Sequence, residues 1–248
     1  MSGANSPLVS YTLLSPNHSG TRKYAIDTIT IHCFVAQVSA KRGCQVFASK
    51  SRNASCNYVV GYDGKIGLCV EEKNRSWCTS SATNDHRAIT IEVASDTKAP
   101  YKVTDKAYAA LIDLVTDICK RNNIKSLKWA ANKSMIGQLD VQNMTVHKWF
   151  ANKACPGDYL YNKHDEIAAE VNKRLGVGFT PYKVKVTNPP VNIRKEPNAN
   201  GKIVGKITSE GVYTIVEESK PNGTTYPWGK LKSGAGWITL SPSFVKKV

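Results

Sequence analysis

The chain has 248 residues, 41% of them hydrophobic and 21% charged, with 34 Lys and Arg against 19 Asp and Glu for a net charge of +15. That length and balance exclude a disordered or collagen-like chain and suit two globular domains. No run of eighteen apolar residues exists, which excludes a membrane-spanning helix, and the positive excess draws the chain toward a polyanion without choosing among nucleic acid, anionic lipid and a teichoic-acid-bearing wall.

The first residues, Met-Ser-Gly-Ala-Asn-Ser-Pro, lack the charged and apolar regions of a secretory signal, so synthesis in a cytoplasm without a signal peptide is expected. Residues 26 to 34 form a β-branched run that predicts a strand, Tyr58 to Leu68 reads as a hairpin turning at Asp63-Gly64, and Ala88 to Ala94 is a second buried strand. Thr104 can cap a helix that carries Leu111, Val115 and Ile118, and Asp165 to Leu175 spaces Ile167, Val171 and Leu175 four apart. Strands interspersed with helices predict a layered α/β domain. At Gly176-Val-Gly-Phe-Thr-Pro-Tyr182 the helical pattern stops, and cysteine and histidine vanish beyond it. Short strand-like runs then alternate with turns at Asn188-Pro-Pro, Pro197 to Gly201, Pro221-Asn-Gly223 and Ser233 to Gly236, the texture of a small all-β barrel. The expected domains are residues 1–178 and 179–248. Net charge is shared between them, with +7 in residues 181–248 and +8 before.

Seven cysteines, at 33, 44, 56, 69, 78, 119 and 155, lie in the first domain in an odd number and without Cys-x-x-Cys spacing. That pattern predicts neither a disulfide framework nor a four-cysteine zinc site; most read as small buried hydrophobes. Cys155 differs by its context, Thr-Val-His147-Lys-Trp-Phe-Ala-Asn-Lys153-Ala-Cys155-Pro-Gly. With His32, at the end of the first strand, His147 and Cys155 offer two imidazoles and a thiolate, a donor set that suits zinc and leaves its fourth position open. Taken singly, each of the three is more often structural.

Strand alternation adds a further candidate. Ile29, Ile31 and Cys33 share one face and Thr28, Thr30, His32 and Phe34 the other; Ile89, Ile91 and Val93 share one face and Ala88, Thr90, Glu92 and Ala94 the other. If the strands are neighbours, His32 and Glu92 line one pocket, where an isolated ionisable group needs a metal, charge or hydrogen bond. An exposed Glu92 paired with a lysine accounts for that residue equally well. Of the other histidines, His18 and His164 are weaker candidates, and His86 reads as a solvated loop residue; Trp77, Trp129 and Trp149 read as core before glycan contacts.

The strand ending Thr-Ile-His32-Cys, the hairpin Asn57-Tyr-Val-Val-Gly-Tyr-Asp-Gly-Lys-Ile, the strand Ile89-Thr-Ile-Glu-Val and the segment from His147 to Lys153-Ala-Cys-Pro-Gly together resemble a type 2 N-acetylmuramoyl-L-alanine amidase over residues 8 to 175. The resemblance implies a mixed central β-sheet flanked by helices, with His32, His147 and Cys155 as Zn2+ ligands, Glu92 as general base and Lys153 as the basic residue of the Lys-x-Cys motif. One departure stands out. Where the lysozyme-like phage branch of the family places a tyrosine, seven residues before Asp63, this chain has Cys56. Glu92 is therefore favoured over Tyr58 as the base.

Residues 179–248 resemble a bacterial Src-homology-3-like wall-binding domain through Val191-Asn-Ile-Arg-Lys-Glu-Pro-Asn, Ile203-Val-Gly-Lys-Ile, Trp228-Gly-Lys-Leu and Gly236-Trp-Ile. Ile193, Val204, Trp228, Leu231 and Trp237 are its expected core, and Arg194, Tyr213 and Tyr226 its candidate ligand contacts. Together the resemblances imply a modular peptidoglycan hydrolase, and the lack of a signal peptide favours a phage endolysin of Gram-positive cells, acting on the wall after release, over a secreted autolysin, with another export route left open. Peptidoglycan is the implied partner, with no nucleic acid and no stable membrane insertion, and oligomeric state is not fixed. A non-catalytic peptidoglycan-recognition protein is disfavoured because Cys155 is present. A basic zinc-containing nucleic-acid binder is disfavoured because no closed four-ligand site or basic-aromatic module is seen.

Overall fold

The protein is described from a computed structural model covering residues 4–221 and 224–248, so the turn expected at Pro221-Asn-Gly223 lies partly outside the described residues. Two compact units divide the chain, Met1–Leu175 and Gly176–Val248. Among the described residues no helix is long and apolar enough to cross a membrane.

In chain order the first unit contains β1 (Val9–Thr12), β2 (His18–Thr21), β3 (Thr28–Cys33), α1 (Ala40–Phe47), β4 (Tyr58–Val60), β5 (Ile66–Leu68), β6 (Asn74–Ser76), α2 (Ala82–Arg87), β7 (Ala88–Val93), α3 (Asp105–Arg121), β8 (Met144–Thr145), α4 (Gly157–Asn162) and α5 (His164–Leu175). Six strands make a mixed sheet in the order β1-β5-β4-β7-β3-β8, and β2 pairs separately with β6. The hairpin joining β4 to β5 turns at Asp63-Gly64, where Gly64 adopts φ +82°. Thr104 caps α3, its hydroxyl accepting from the Ala107 N–H at 3.1 Å.

Alternation along the central strands decides what each face of the sheet does. Ile29, Ile31 and Cys33 of β3 stand in register with Ile89, Ile91 and Val93 of β7, and all are buried. Leu111, Leu114, Val115 and Ile118 of α3 and Ile167 and Val171 of α5 close over this face. Each such side chain contributes about 1.5–3 kcal/mol on burial.

The opposite face is polar inside, which sequence reading did not foresee. The hydroxyls of Thr30 and Thr145 lie 2.7 Å apart and both meet the Asn84 amide, while Thr90 meets Ser76 at 2.8 Å and Asn57 at 3.2 Å. All these groups are buried and hydrogen-bonded, which removes the desolvation cost they would otherwise carry. At one end of this face α1 packs Cys44 and Phe47 against Cys56, Val59 and Cys69. A side chain on Gly43 would meet Val59 Cγ1 at 2.5 Å, and one on Gly67 would meet Cys44 Sγ at 2.4 Å, so the approach of helix to hairpin requires glycine on both partners.

The second unit is a seven-stranded antiparallel sheet of β9 (Tyr182–Val186), β10 (Val191–Arg194), β11 (Ile203–Ile207), β12 (Gly211–Ser219), β13 (Trp228–Leu231), β14 (Trp237–Thr239) and β15 (Val245–Lys247). Its order is β11-β10-β14-β13-β12-β9-β15, with β11 and β15 at the two ends. Val184, Val186, Val191, Ile207, Ile215, Leu231, Ile238 and Val245 make the core, Ile193 and Phe179 pack against it, and Trp228 and Trp237 are buried. Phe179 thus ties the start of the second unit to that core.

Val204 does not belong to the core expected for it. Ile193 faces Gly205 and Arg194 faces Ile203, so Val204 is the extra residue of a β-bulge on a terminal strand and is 49% exposed. Of the three candidate ligand contacts, Tyr213 packs against the core and Arg194 donates to the Gly201 carbonyl at 2.7 Å, whereas Tyr226 is exposed. Replacing the exposed bulge residue, Val204→Thr, should change stability by no more than about 0.5 kcal/mol. Ile238→Ala should cost about 2–5 kcal/mol. Urea unfolding of the two variants separates these outcomes, and equal losses would contradict the bulge.

Candidate functional site

The in-register pairing of β3 with β7 sets His32 directly beside Glu92, both on the polar face. Next to them β8 runs parallel to β3 and leads into the 3-10 turn His147–Trp149, which delivers His147. Its ring lies 5.1 Å from that of His32, centroid to centroid. Cys155 arrives from the following loop, held where its carbonyl accepts from the Lys148 N–H at 3.0 Å. Cys155 Sγ stands 3.3 Å from His32 Nδ1, and Glu92 Oε1 stands 4.0 Å from that same nitrogen. The structure therefore brings His32, His147, Cys155 and Glu92 together, with Lys153 exposed on the rim of the cleft that Glu92 and His147 line.

One ligand atom from each of His32, His147 and Cys155 falls within 4.8 Å of the others, a spacing that could hold a metal ion. Polar satisfaction points the same way. His32 Nε2, His147 Nε2 and Glu92 Oε2 are buried without a hydrogen-bond partner, and a buried unpaired polar atom costs about 1–3 kcal/mol.

Burial governs the protonation of the cluster. It pushes the His32 pKa down to about 3, with His147 adding a smaller push, and it also lowers His147. Glu92 is raised well above the ordinary carboxylate range, by burial first and then by Cys33. The Cys155 thiol is raised by its hydrogen bond with Cys33 and by burial, while that same bond lowers Cys33. These groups form a neutral set by themselves. A bound cation would invert that preference for the thiol and the carboxyl while keeping both imidazoles unprotonated.

The cleft, about 520 Å³, is also lined by Arg52, Arg75, Trp77, Cys78 and Asp85. Asp85 accepts from the Cys78 and Thr79 N–H groups at 3.0 and 3.1 Å and from the Thr79 hydroxyl at 2.6 Å, which pins this wall. Of these five, sequence reading named Trp77 alone as a possible glycan contact, behind a core reading, and missed the other four as cleft residues. The one available signal was Ser81, whose hydroxyl caps α2 through the Asn84 N–H at 3.3 Å and so orients Asp85.

Several candidates stand elsewhere. Tyr58 donates to Glu72 Oε1 at 2.6 Å and accepts from the Ser6 N–H at 2.9 Å in the buried core, far from the role of a base at the cleft. Cys56 is fully buried, which pushes its thiol up to about 12. His86 is not a solvated loop residue: it is buried on α2, where its Nδ1 accepts from the Lys23 N–H at 3.2 Å. His18 lies on β2 and accepts from the Gly20 N–H at 3.0 Å. Trp129 and Trp149 stack 5.1 Å apart, Trp129 against the apolar core, whereas Trp77 lines the cleft.

A family model described as "N-acetylmuramoyl-L-alanine amidase" matches residues 22–158, more than half of the chain. No curated protein sequence gives a significant match. Among solved structures, a mutant endolysin from Bacillus subtilis is 19% identical, covering 66% of this chain and 99% of its own, with a TM-score of 0.48. Peptidoglycan Recognition Protein (PGRP)-SA of Drosophila is 15% identical over 62% of this chain and 90% of its own, with a TM-score of 0.46. The endolysin amidase LysCS from Clostridium intestinale is 16% identical over 66% and 97%, with a TM-score of 0.43.

His164 allows a pH test away from the metal candidates. It is fully buried against Trp129, its Nδ1 is 2.7 Å from the Leu160 carbonyl, and burial lowers its pKa from 6.5 to about 4. The unfolded chain therefore takes up the proton first on acidification, so the contribution of a neutral His164 is intact above 6.5 and is lost as pH falls toward 4. Within that window, stability of the His164→Gln variant should fall less steeply than that of the native chain by about 1.4 kcal/mol per pH unit, one proton's worth. Parallel denaturation profiles would exclude a buried neutral His164.

Proposed function

The chain belongs to the N-acetylmuramoyl-L-alanine amidase family, and we propose that it is a zinc-dependent peptidoglycan hydrolase, an endolysin of Gram-positive cells that cuts the amide between N-acetylmuramic acid and L-alanine. The observation that carries this reading is the convergence of His32, His147 and Cys155 beside Glu92 in one cleft.

Two imidazoles and a thiolate match the zinc donor set with three protein ligands and an open position, and the unpartnered nitrogens of His32 and His147 agree with it. When bound there, zinc would supply Lewis-acid polarisation of the carbonyl and acidify a water toward a pKa of about 7. Glu92 stands beside the donors to accept a proton from the attacking water on a carboxylate oxygen. As the carbon–nitrogen bond breaks, Glu92 passes that proton to the departing alanine nitrogen, leaving a lactyl carboxylate and a free amino terminus. Lys153 brings its ammonium to the charge that develops on the carbonyl oxygen.

We assign the second unit a wall-binding role and a Src-homology-3-like character, supported by its seven antiparallel strands and by the +7 charge of residues 181–248. An exposed Tyr226 and a groove of about 560 Å³ between Tyr182, Glu218, Pro227, Leu240 and Lys247 are the surfaces available for a wall polymer. Tethering raises local concentration on an insoluble substrate.

Glu92→Gln should keep zinc and lower turnover at least about a hundredfold, read by new L-alanine amino termini released from purified walls. Near-normal turnover transfers the base to another group. His147→Ala should lose both zinc and activity at buffered, low free zinc, and full occupancy there would sink the ligand assignment.

Residues 1–175 alone should cleave soluble muramyl peptides at nearly the full-length rate but lyse intact walls much more slowly. Residues 176–248 alone should sediment with walls. A fragment 176–248 that stays in the supernatant at low salt, with normal lysis by residues 1–175, would falsify the tethering role.

A further inference from the structure

Glu92 and His32 belong to a second group of donors besides the one already described. Cys78 joins them: one ligand atom from each of His32, Cys78 and Glu92 falls within 4.8 Å of the others. The two groups have only His32 in common. We propose that His32, Cys78 and Glu92 form an alternative metal seat that competes with the His32, His147 and Cys155 seat, and that an ion held there turns Glu92 from a base into a ligand. The proposal rests on the zinc reading of the first seat.

Three observations carry it. The position of Cys78 is imposed by its surroundings: its N–H donates to Asp85 Oδ2 at 3.0 Å, the Thr79 N–H donates to that same oxygen at 3.1 Å, and the Trp77 N–H donates to Ser55 Oγ at 3.0 Å. The register of β3 and β7 fixes the other two donors as direct neighbours, with His32 Nδ1 and Glu92 Oε1 4.0 Å apart. His32 is fully buried, and its Nε2 has no hydrogen-bond partner, nor has Glu92 Oε2.

The chemistry of the set suits zinc as well as the first one does, with one imidazole, one thiolate and one carboxylate. Ligand distances of about 2.0–2.3 Å around a tetrahedral ion place donor atoms roughly 3.5 Å from one another. Side-chain rotations of about an ångström close the set from its present spacing, with no movement of the strands. The two seats differ in consequence. The first leaves Glu92 free to carry protons, whereas the second consumes its carboxylate, so an ion that prefers the second seat over the first acts as an inhibitor.

Cadmium, whose thiolate bonds give an ultraviolet charge-transfer band, tests the second seat without reference to activity. Cys155→Ser removes the thiolate of the first seat. With one equivalent of cadmium, that variant should still show the band, and Cys155→Ser with Cys78→Ser should lose it, while Cys155→Ser with Cys33→Ser retains it. Adding Glu92→Gln to Cys155→Ser should weaken cadmium binding at least tenfold, and circular dichroism establishes that each variant is folded. Absence of a band in Cys155→Ser overturns the proposal. So does a band that survives when Cys78→Ser is added to Cys155→Ser, which would place the ion on other thiols such as Cys44 and Cys69, whose sulfurs lie 3.3 Å apart. A native chain that holds no zinc at one equivalent, beside a Cys155→Ser variant that binds cadmium through Cys78, would defeat the first seat and leave the second standing.

Discussion

The parallel, in-register pairing of β3 with β7 is the constraint on which the rest of the first unit depends. Side chains alternate strictly along a strand, so zipping Ile29, Ile31 and Cys33 against Ile89, Ile91 and Val93 under the helices compels His32 and Glu92 to share the other face. A slip of one residue would bury a carboxylate among leucines and set the isoleucines among the buried hydroxyls of the polar face. The free energy of the apolar core is thus also what holds the two polar groups adjacent. β8 then extends the same sheet and aims His147 at them.

What was legible in the sequence followed from strong local periodicity. The strands around residues 26–34 and 88–94, the turn at Asp63-Gly64 and the Thr104 cap each have a physical signal within a few residues, and the structure has them. β1, β2, β6, α1 and α2 are three to eight residues long, too short for a period to declare itself, and they form because the core accepts them. The same reason hides Cys78 and Asp85: Asp85 sits on the short α2 and Cys78 in a loop folded against it, a pairing that no spacing rule anticipates. Val204 was misplaced because alternation fails at a bulge, and His86 because a helix of six residues read as a loop.

A polar bed underlies the cluster and explains how ionisable groups are held there without disorder. Asn57 accepts from the Thr90 N–H at 3.1 Å and from Arg22 Nη2 at 3.0 Å, and donates to the Val70 carbonyl at 3.1 Å, so a single buried amide joins β7, the exit from β2 and the turn after β5. Arg22 also reaches the Glu72 and Asp85 carbonyls, and Glu72 is buried against Arg121. Each group answers the desolvation of another. Removing any one partner would leave a buried charge or amide unpaired, which is the expensive case. The cleft wall is therefore organised before any ligand arrives, and little ordering remains to be done on binding.

The two ends of the sheet in the second unit carry a consequence for how copies of this chain treat one another. An end strand presents unpaired N–H and C=O groups that can recruit another chain. Here β15 places Lys246 and Lys247 at one end, and β11 carries Lys206 and is kinked by the Val204 bulge at the other. Docking a second molecule edge to edge would bring ammonium groups together and would have to flatten the kink. Part of the positive charge therefore disfavours edge-to-edge pairing between copies of the chain.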